Sequence, residues 1–197
     1  WRLLLTLERS EQPDAPRTVL EALIDALVRA GNVQMALEVA RRVDAEFGPD
    51  SASSGALVRL AIRSDRPLDA LRLFDERADM LTPQAWADLP SVLDEPSVRE
   101  SWGSQWCPIA LERMSTARSR MRSADSLSID VAYVEMLSEC EVWAEARTMA
   151  ISVEHRRPNH PSALYHRARA AEHLRDRSEA VDAYRTLVDV APRHPLA

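Results

Sequence analysis

The feature that most constrains this sequence is a small residue followed four positions later by Ala or a bulkier apolar residue, recurring at intervals of about 34 residues. The clearest copies are the pairs Ala36/Ala40, Ala70/Phe74, Ala146/Ala150 and Ala180/Tyr184. The step from Ala36 to Ala70 equals the step from Ala146 to Ala180. A fifth copy, Ala110/Met114, lies in the longer gap between them. Recurrence at this period predicts a stack of small repeats rather than one or two ordinary globular domains.

Each of these pairs lies in the second of two helical patterns. In the first pattern of the first copy, Leu20, Leu23, Ile24 and Leu27 form an i, i+3, i+4, i+7 apolar stripe. Gly31 suits the end of that helix, and Pro67 suits the first turn of a later one. Ala and Leu are abundant, Gly numbers only 4 and aromatic residues make up 5%, which favours helix throughout. The sequence therefore predicts an all-α fold of antiparallel helix pairs.

The complete unit resembles the tetratricopeptide repeat, which has roughly 34 residues, a small packing residue, an Ala, Tyr or Phe four positions later and a terminal Pro. The terminal prolines are Pro49, Pro83, Pro158 and Pro192, and residues 163–192 match the pattern best. The resemblance implies a right-handed α-solenoid of about five repeats, with an irregular third repeat. The expected boundaries are 1–16 for the end of a preceding helix and a linker, then a repeat domain over 17–197 divided at 17–50, 51–84, 85–126, 127–160 and 161–194.

Packing in such a stack depends on the neighbours of each helix pair. A single helix pair has apolar residues on more than one face and cannot cover them all by itself. They become buried only when the neighbouring helix pairs pack against it. The small residue lets two helix backbones approach, and a bulkier side chain there would cost about 1–3 kcal/mol. We therefore expect Ala36, Ala70, Ala146 and Ala180 to be buried.

Residues 85–107 interrupt the rhythm. Pro90, Pro96 and Gly103 prevent a long helix there. The same segment holds Trp86, Trp102 and Trp106. Two interpretations remain open: the tryptophans fill the core of a distorted repeat, or Trp102 and Trp106 form an exposed aromatic patch on an insertion that anchors a partner.

Catalytic and metal-binding motifs are missing from the sequence. It contains no Gly-rich phosphate loop, GxSxG elbow, HExxH motif or EF-hand loop. All 25 basic residues are Arg, so no lysine nucleophile exists. We therefore expect no enzymatic activity, no cofactor and no metal.

His166 and His173, seven residues apart, are interpreted as an exposed pair rather than a metal site. Cys107 and Cys140 have no CxxC spacing, which favours idle or buried thiols and leaves a disulfide possible.

The resemblance also implies where a partner would bind, because the first helices of successive repeats line a concave groove. Groove positions carried over from the family include Asp25 and the candidate binding residues Arg29, Arg59, Arg63, Glu135, Glu139, Tyr165, His166, Arg169 and His173. Arg59 and Arg63 share a helix face, and their forked guanidinium groups suit the carboxylates of an acidic peptide. The alternative is that these are ordinary solvated charges.

The expected function is a protein-interaction scaffold that binds a protein or peptide. Because Trp1 is not Met, we expect an excerpt of a longer bacterial-type protein, with an envelope or exopolysaccharide-export assembly as one expected setting. The alternative is a regulatory or docking arm of an enzyme. A net charge of −6 disfavours nucleic acid, and WRLLLTL is too short to insert into a membrane. The compartment stays open between periplasm and cytoplasm, as does the oligomeric state.

Overall fold

The computed structural model describes the backbone at residues 15–121 and 126–192, and side chains there from residue 19 onward. Within these ranges all regular structure is helical, as the sequence predicted. Most of the expected leading segment, 1–16, therefore lies outside the described residues, and the first described helix begins at Ala15. The chain divides into two compact units, unit 1 over Trp1–Val98 and unit 2 over Arg99–Ala197.

Unit 1 consists of two long helix pairs followed by short helices. The long helices are α1 (Ala15–Arg29), α2 (Val33–Phe47), α3 (Ser51–Arg63) and α4 (Pro67–Glu76), and the short ones are α5 (Pro83–Trp86) and α6 (Leu89–Leu93). Each long helix packs on the next one in the chain, while α5 and α6 cover α3 and α4. This order of contacts is that of a helical repeat.

Unit 2 contains five long helices. Helix α7 (Pro96–Trp102) begins in unit 1 and ends in unit 2, and a 3₁₀ turn (Gly103–Gln105) follows it. The long helices are α8 (Trp106–Arg120), α9 (Leu127–Glu139), α10 (Trp143–Arg156), α11 (Pro161–His173) and α12 (Arg177–Val190). Each packs on its successor, and α9 also contacts α11.

Helices α9–α12 reproduce α1–α4 at a constant offset along the sequence. The second, third and fourth helices of the two sets begin at Val33 and Trp143, at Ser51 and Pro161, and at Pro67 and Arg177, so the interval is the same in each case. Positions separated by this interval are therefore structural counterparts, and the two sets can be compared residue by residue.

The turn within each helix pair has the same backbone geometry in all four pairs. The residue at its centre has a positive φ of 77° at Gly31, 56° at Asp65, 59° at Glu141 and 64° at Arg175. The next amide always bonds back to a carbonyl five residues earlier, as from Asn32 to Leu27 and from Asp176 to Ala171, both at 2.9 Å. This is the Schellman arrangement that ends many helices. Only one of the four positions is Gly, so backbone hydrogen bonding holds the other three in a conformation that side chains disfavour.

The predicted small packing positions are buried. Ala36, Ala70, Ala110 and Ala146 have no exposed surface, and Ala180 is 6% exposed. The residues four positions later, Ala40, Phe74, Met114 and Ala150, are buried too, whereas Tyr184 is only half-buried.

The irregular middle is broken where its prolines lie. Pro83 and Pro90 occupy the first turns of α5 and α6, and Pro96 begins α7. Proline suits a first turn because it lacks the amide hydrogen that an interior position would need. Trp86 is buried, with its ring centroid 5.2 Å from that of Phe74.

Each unit also buries one carboxylate beside arginine. In unit 1, Asp44 accepts hydrogen bonds from Arg77 and, at 3.1 Å, from Ser53. In unit 2, Asp130 accepts from Arg118 and Arg156. Burial opposes the charge on Asp130, but these hydrogen bonds outweigh burial and lower the pKa of its carboxyl below the ordinary value.

The expectation that Cys107 and Cys140 are idle thiols is wrong, because they form a disulfide. Cys107 lies in the first turn of α8 and Cys140 directly after α9. The packing of these two helices brings the Cα atoms to 5.6 Å, within the range that a disulfide spans. Sequence spacing alone could not show this, since 33 residues separate the cysteines.

Candidate functional site

In unit 2 a group of aromatic side chains and one arginine lies along α11. Tyr165, Arg169 and His173 occur at intervals of four residues, so they form one row along the helix. Trp143, at the start of α10, joins this row, and we call these four residues the α11 face. The His173 and Trp143 rings stack with centroids 3.8 Å apart and planes 4° apart. The Arg169 guanidinium lies 5.5 Å from the Trp143 ring and 5.7 Å from the Tyr165 ring.

The four side chains of the α11 face remain accessible. His173 is exposed and the other three are half-buried. A guanidinium over two rings is held by cation–π attraction of about 0.5–1 kcal/mol at such sites. The face therefore offers flat aromatic surface with one oriented cation, a combination that takes a carboxylate together with an aromatic or aliphatic side chain.

Tyr184 of α12 borders the α11 face. Its hydroxyl lies 3.4 Å from a Glu172 carboxylate oxygen. Burial, and then the charge of Glu172, raise the pKa of Tyr184 above its ordinary value. Tyr184 therefore stays a neutral hydroxyl at physiological pH.

Sequence reasoning missed Trp143. The only sequence signal for it was its position directly after a turn of the repeat.

His166 corrects the sequence interpretation, which placed it on the exposed face as a binding candidate. It is only 8% exposed, and its Nδ1 lies 3.0 Å from the hydroxyl of Ser138 in α9. That hydroxyl already donates to the Val134 carbonyl at 2.9 Å, so it accepts from the imidazole. Burial, and then the charge of Arg169, lower the pKa of His166 to about 4. A neutral His166 therefore joins α9 to α11.

In unit 1 the predicted arginines are exposed. Arg29 ends α1, while Arg59 and Arg63 lie on successive turns of α3. Asp25 on α1 is also exposed. Burial raises the pKa of Asp88, and the nearby positive charge of Arg59 opposes this. Arg59 is thus already close to one carboxylate.

Glu139 has an intramolecular partner. Its carboxylate pairs with Arg99 at 2.6 Å, and the Arg99 guanidinium lies 4.1 Å from the Trp106 ring centroid. Glu135, one turn earlier on α9, is half-buried. The Glu139 carboxylate is therefore already engaged by Arg99.

The two tryptophans proposed as insertion anchors have different environments. Trp106 is 7% exposed, so its interpretation as an exposed anchor is wrong. Trp102 is half-buried, with the Arg113 guanidinium 5.4 Å from its ring centroid. Burial of Trp86 and Trp106 agrees with the alternative interpretation, in which tryptophan fills the core of the irregular segment.

The described ranges contain neither a metal-binding cluster nor a helix suited to spanning a membrane. Among residues 15–121 and 126–192, His, Cys, Asp and Glu nowhere form a group of three able to hold a metal ion. Within that same part of the chain, no helix combines the length and apolar character that crossing a membrane requires.

The fold defined by these observations is that of tetratricopeptide-repeat proteins, and solved structures show the likeness. YrrB, described as a TPR protein with an unusual peptide-binding site, aligns at a TM-score of 0.71 and 16% identity over 97% of this chain and 93% of its own. PilF of Pseudomonas aeruginosa aligns at 0.60 and 14% identity, over 88% and 75%. A putative kinesin light chain of Podosopora anserina, with nearly identical TPR-like repeats, aligns at 0.59 and 18% identity, over 95% and 100%.

Sequence comparison adds no closer relationship. No family model and no curated protein matches the chain. At these identities the structural likeness establishes the tetratricopeptide-type fold and nothing finer.

Proposed function

We propose that this chain is a protein-interaction module that binds a peptide segment of a partner protein at the α11 face. The observation that supports this most directly is the arrangement of Arg169 between the Trp143 and Tyr165 rings on an accessible surface. Helices hold all of these residues, so the face is preorganised and loses little conformational entropy on binding.

The proposed ligand is a peptide with a carboxylate beside an aromatic or aliphatic side chain. The carboxylate would accept hydrogen bonds from Arg169, and the apolar side chain would cover the rings. YrrB, whose description names a peptide-binding site, shows that this fold supports such a role in another protein.

The test is a peptide selection from a random display library, followed by affinity measurement with charge-changed variants. Arg169→Glu combined with His173→Ala should weaken the selected peptides about tenfold or more, because the forked cation and a stacking ring are both lost. Arg185→Glu is the matched control, since Arg185 is on α12 and its side chain is 76% exposed.

A second pair of substitutions tests the arginine candidates of unit 1. If Arg59→Glu with Arg63→Glu weakens the selected peptides and the α11 variant does not, binding belongs to unit 1 and the α11 face is not the site. If neither pair changes any affinity, the proposed binding at these first-helix faces is wrong.

For the cellular setting we propose an oxidising compartment, such as the periplasm, in which an envelope or export assembly would operate. The supporting observation is the Cys107–Cys140 disulfide, since such bonds persist mainly outside the reducing cytosol. Recovery of the native protein with both thiols free would contradict this setting. The alternative role, a docking arm of an enzyme, would use the same peptide-binding face.

A further inference from the structure

A cavity of about 180 Å³ opens in unit 1 between α1, α2 and α3. Its walls are mainly small or apolar side chains, namely Ile24 from α1, Ala40 and Val43 from α2, and Ala52 and Ala56 from α3. One water molecule occupies about 30 Å³ in the liquid. The cavity is therefore large enough for one long side chain, and its apolar walls offer water few hydrogen bonds. We call it the α1–α3 slot.

The mouth of the α1–α3 slot is acidic. Glu21 and Asp25, one turn apart on α1, both line it and both lie at the exposed surface. Ser53 is the other polar lining residue, and its hydroxyl already bonds to Asp44 at 3.1 Å and to the Asp50 amide at 3.0 Å. The slot thus has apolar walls inside and carboxylates outside.

Several positions that line the slot in unit 1 have different side chains at the corresponding positions of unit 2. The counterpart of Ala56 is His166, which is buried and bonds across to α9. The counterparts of Glu21 and Ser53 are Val131 and Ala163, both members of one hydrophobic cluster. Three of the side chains that line the slot in unit 1 are therefore replaced by different ones at the corresponding positions of unit 2.

We infer that the α1–α3 slot receives the side chain of an arginine or lysine from a partner segment. The methylene stem would contact Ala40, Ala52 and Ala56, and the cationic end would remain at the mouth beside Asp25. Long basic side chains bury their stems in this way while keeping the charge in water. An acidic residue would be repelled at the mouth, and a short apolar one would gain no attraction from the carboxylates there. The inference rests on the proposed function, because a receptor for a side chain needs a binding partner.

The test uses four capped pentapeptides, alanine throughout except for a central arginine, lysine, citrulline or leucine. Binding to the full chain is followed by NMR at the signals of Ala40, Val43 and Ala52. The arginine and lysine peptides should shift these signals. The citrulline peptide, which lacks the charge, should bind about threefold more weakly, as expected for loss of an exposed ion pair.

Two variants place the binding in the slot. Ala56→His puts the side chain of the unit 2 counterpart into the slot and should weaken the arginine peptide about tenfold or more, because the stem loses its apolar contacts. Asp25→Asn keeps the cavity and should lower the affinity of the arginine peptide towards that of the citrulline peptide, with the Glu21 carboxylate still at the mouth. Ala45→His and Glu38→Gln, at exposed positions of α2, are the matched controls and should bind as the wild type does.

Several outcomes would overturn the inference. Equal affinity of the arginine peptide for Ala56→His and wild type would place its site elsewhere. Tighter binding of the leucine peptide, unchanged in Asp25→Asn, would make the occupant an apolar side chain. No shift with any peptide, together with a more stable Ala56→His protein, would show that the cavity is only a packing defect. The Arg169→Glu/His173→Ala variant should bind the arginine peptide normally, so failure here is distinguishable from failure at the α11 face.

Discussion

Helices α1–α4 and α9–α12 have the same backbone plan and use it differently. In unit 2 His166 of α11 bonds to Ser138 of α9, whereas in unit 1 the counterpart of His166 is Ala56, which lines the α1–α3 slot. The turns and the buried alanines correspond in both sets. The repeat therefore keeps its backbone plan, while the side chains between first helices differ between the two sets.

The corresponding rows of α3 and α11 also differ. The counterparts of Tyr165, Arg169 and His173 are Gly55, Arg59 and Arg63. Gly55 is buried beside Ala85 of α5, so α3 presents Arg59 and Arg63 without an aromatic platform. The two rows therefore differ in both exposure and side-chain chemistry, although their helices correspond.

The largest expected effect comes from the buried carboxylates. Asp130→Ala removes the acceptor of two arginines, and we expect it to lower the free energy of unfolding by about 3–5 kcal/mol. Asp44→Ala should cost somewhat less, since Asp44 pairs with one arginine. Hydrogen exchange should show lost protection in residues 126–157 for the first variant and in residues 33–76 for the second. Loss of protection in the other unit would contradict the independence of the two networks.

The disulfide should stabilise unit 2 alone. Replacing both Cys107 and Cys140 with Ser should lower the free energy of unfolding by about 3–4 kcal/mol, because the bond closes a long loop in the unfolded chain. Urea unfolding with and without reductant measures this. Reductant should leave the double variant unchanged, and amide protection in residues 33–76 should not respond to either treatment.

His166 should make unit 2 sensitive to mild acid. The folded pKa of about 4 lies below the ordinary value of 6.5, so the unfolded state binds the proton more readily. The contribution of neutral His166 to the free energy of unfolding is therefore fully present above pH 6.5. It is lost as the pH drops towards 4, by up to about 3 kcal/mol. His166→Asn should flatten this part of the pH profile, whereas His173→Asn, at an exposed position, should retain it. An unchanged profile in His166→Asn would assign the sensitivity to another group.

The smallest expected effect concerns the turns. Asp65→Gly in unit 1 and Arg175→Gly in unit 2 should each raise the free energy of unfolding by about 0.5–1 kcal/mol, because glycine adopts positive φ without a steric cost. Gly31→Ala should lower it by a similar amount. Thermal denaturation of the three variants measures the effect, and a destabilised Asp65→Gly protein would mean that the aspartate side chain holds the turn.

The sequence predicted the fold well because the repeat is visible as alanines at regular intervals and as helix-ending residues between the helices. At Ala36 and Ala146 two helix backbones come close, so only a small side chain fits. This requirement recurs in each repeat and produces a periodic pattern in the sequence. The sites were less predictable, since they depend on contacts between helices. His166 has the spacing of an exposed residue, yet it is buried and bonded to Ser138 of α9. Ala56 carries no sequence signal for the slot that it lines.

The cysteine pairing was beyond sequence reasoning for the same reason. The sequence around Cys107 and Cys140 does not show that the first turn of α8 lies next to the end of α9 in space. That bond encloses the connection between α8 and α9 in a covalent ring. A protease that cuts once within this connection would leave one molecule on a non-reducing gel and two fragments after reduction, so the region tolerates a broken backbone without coming apart.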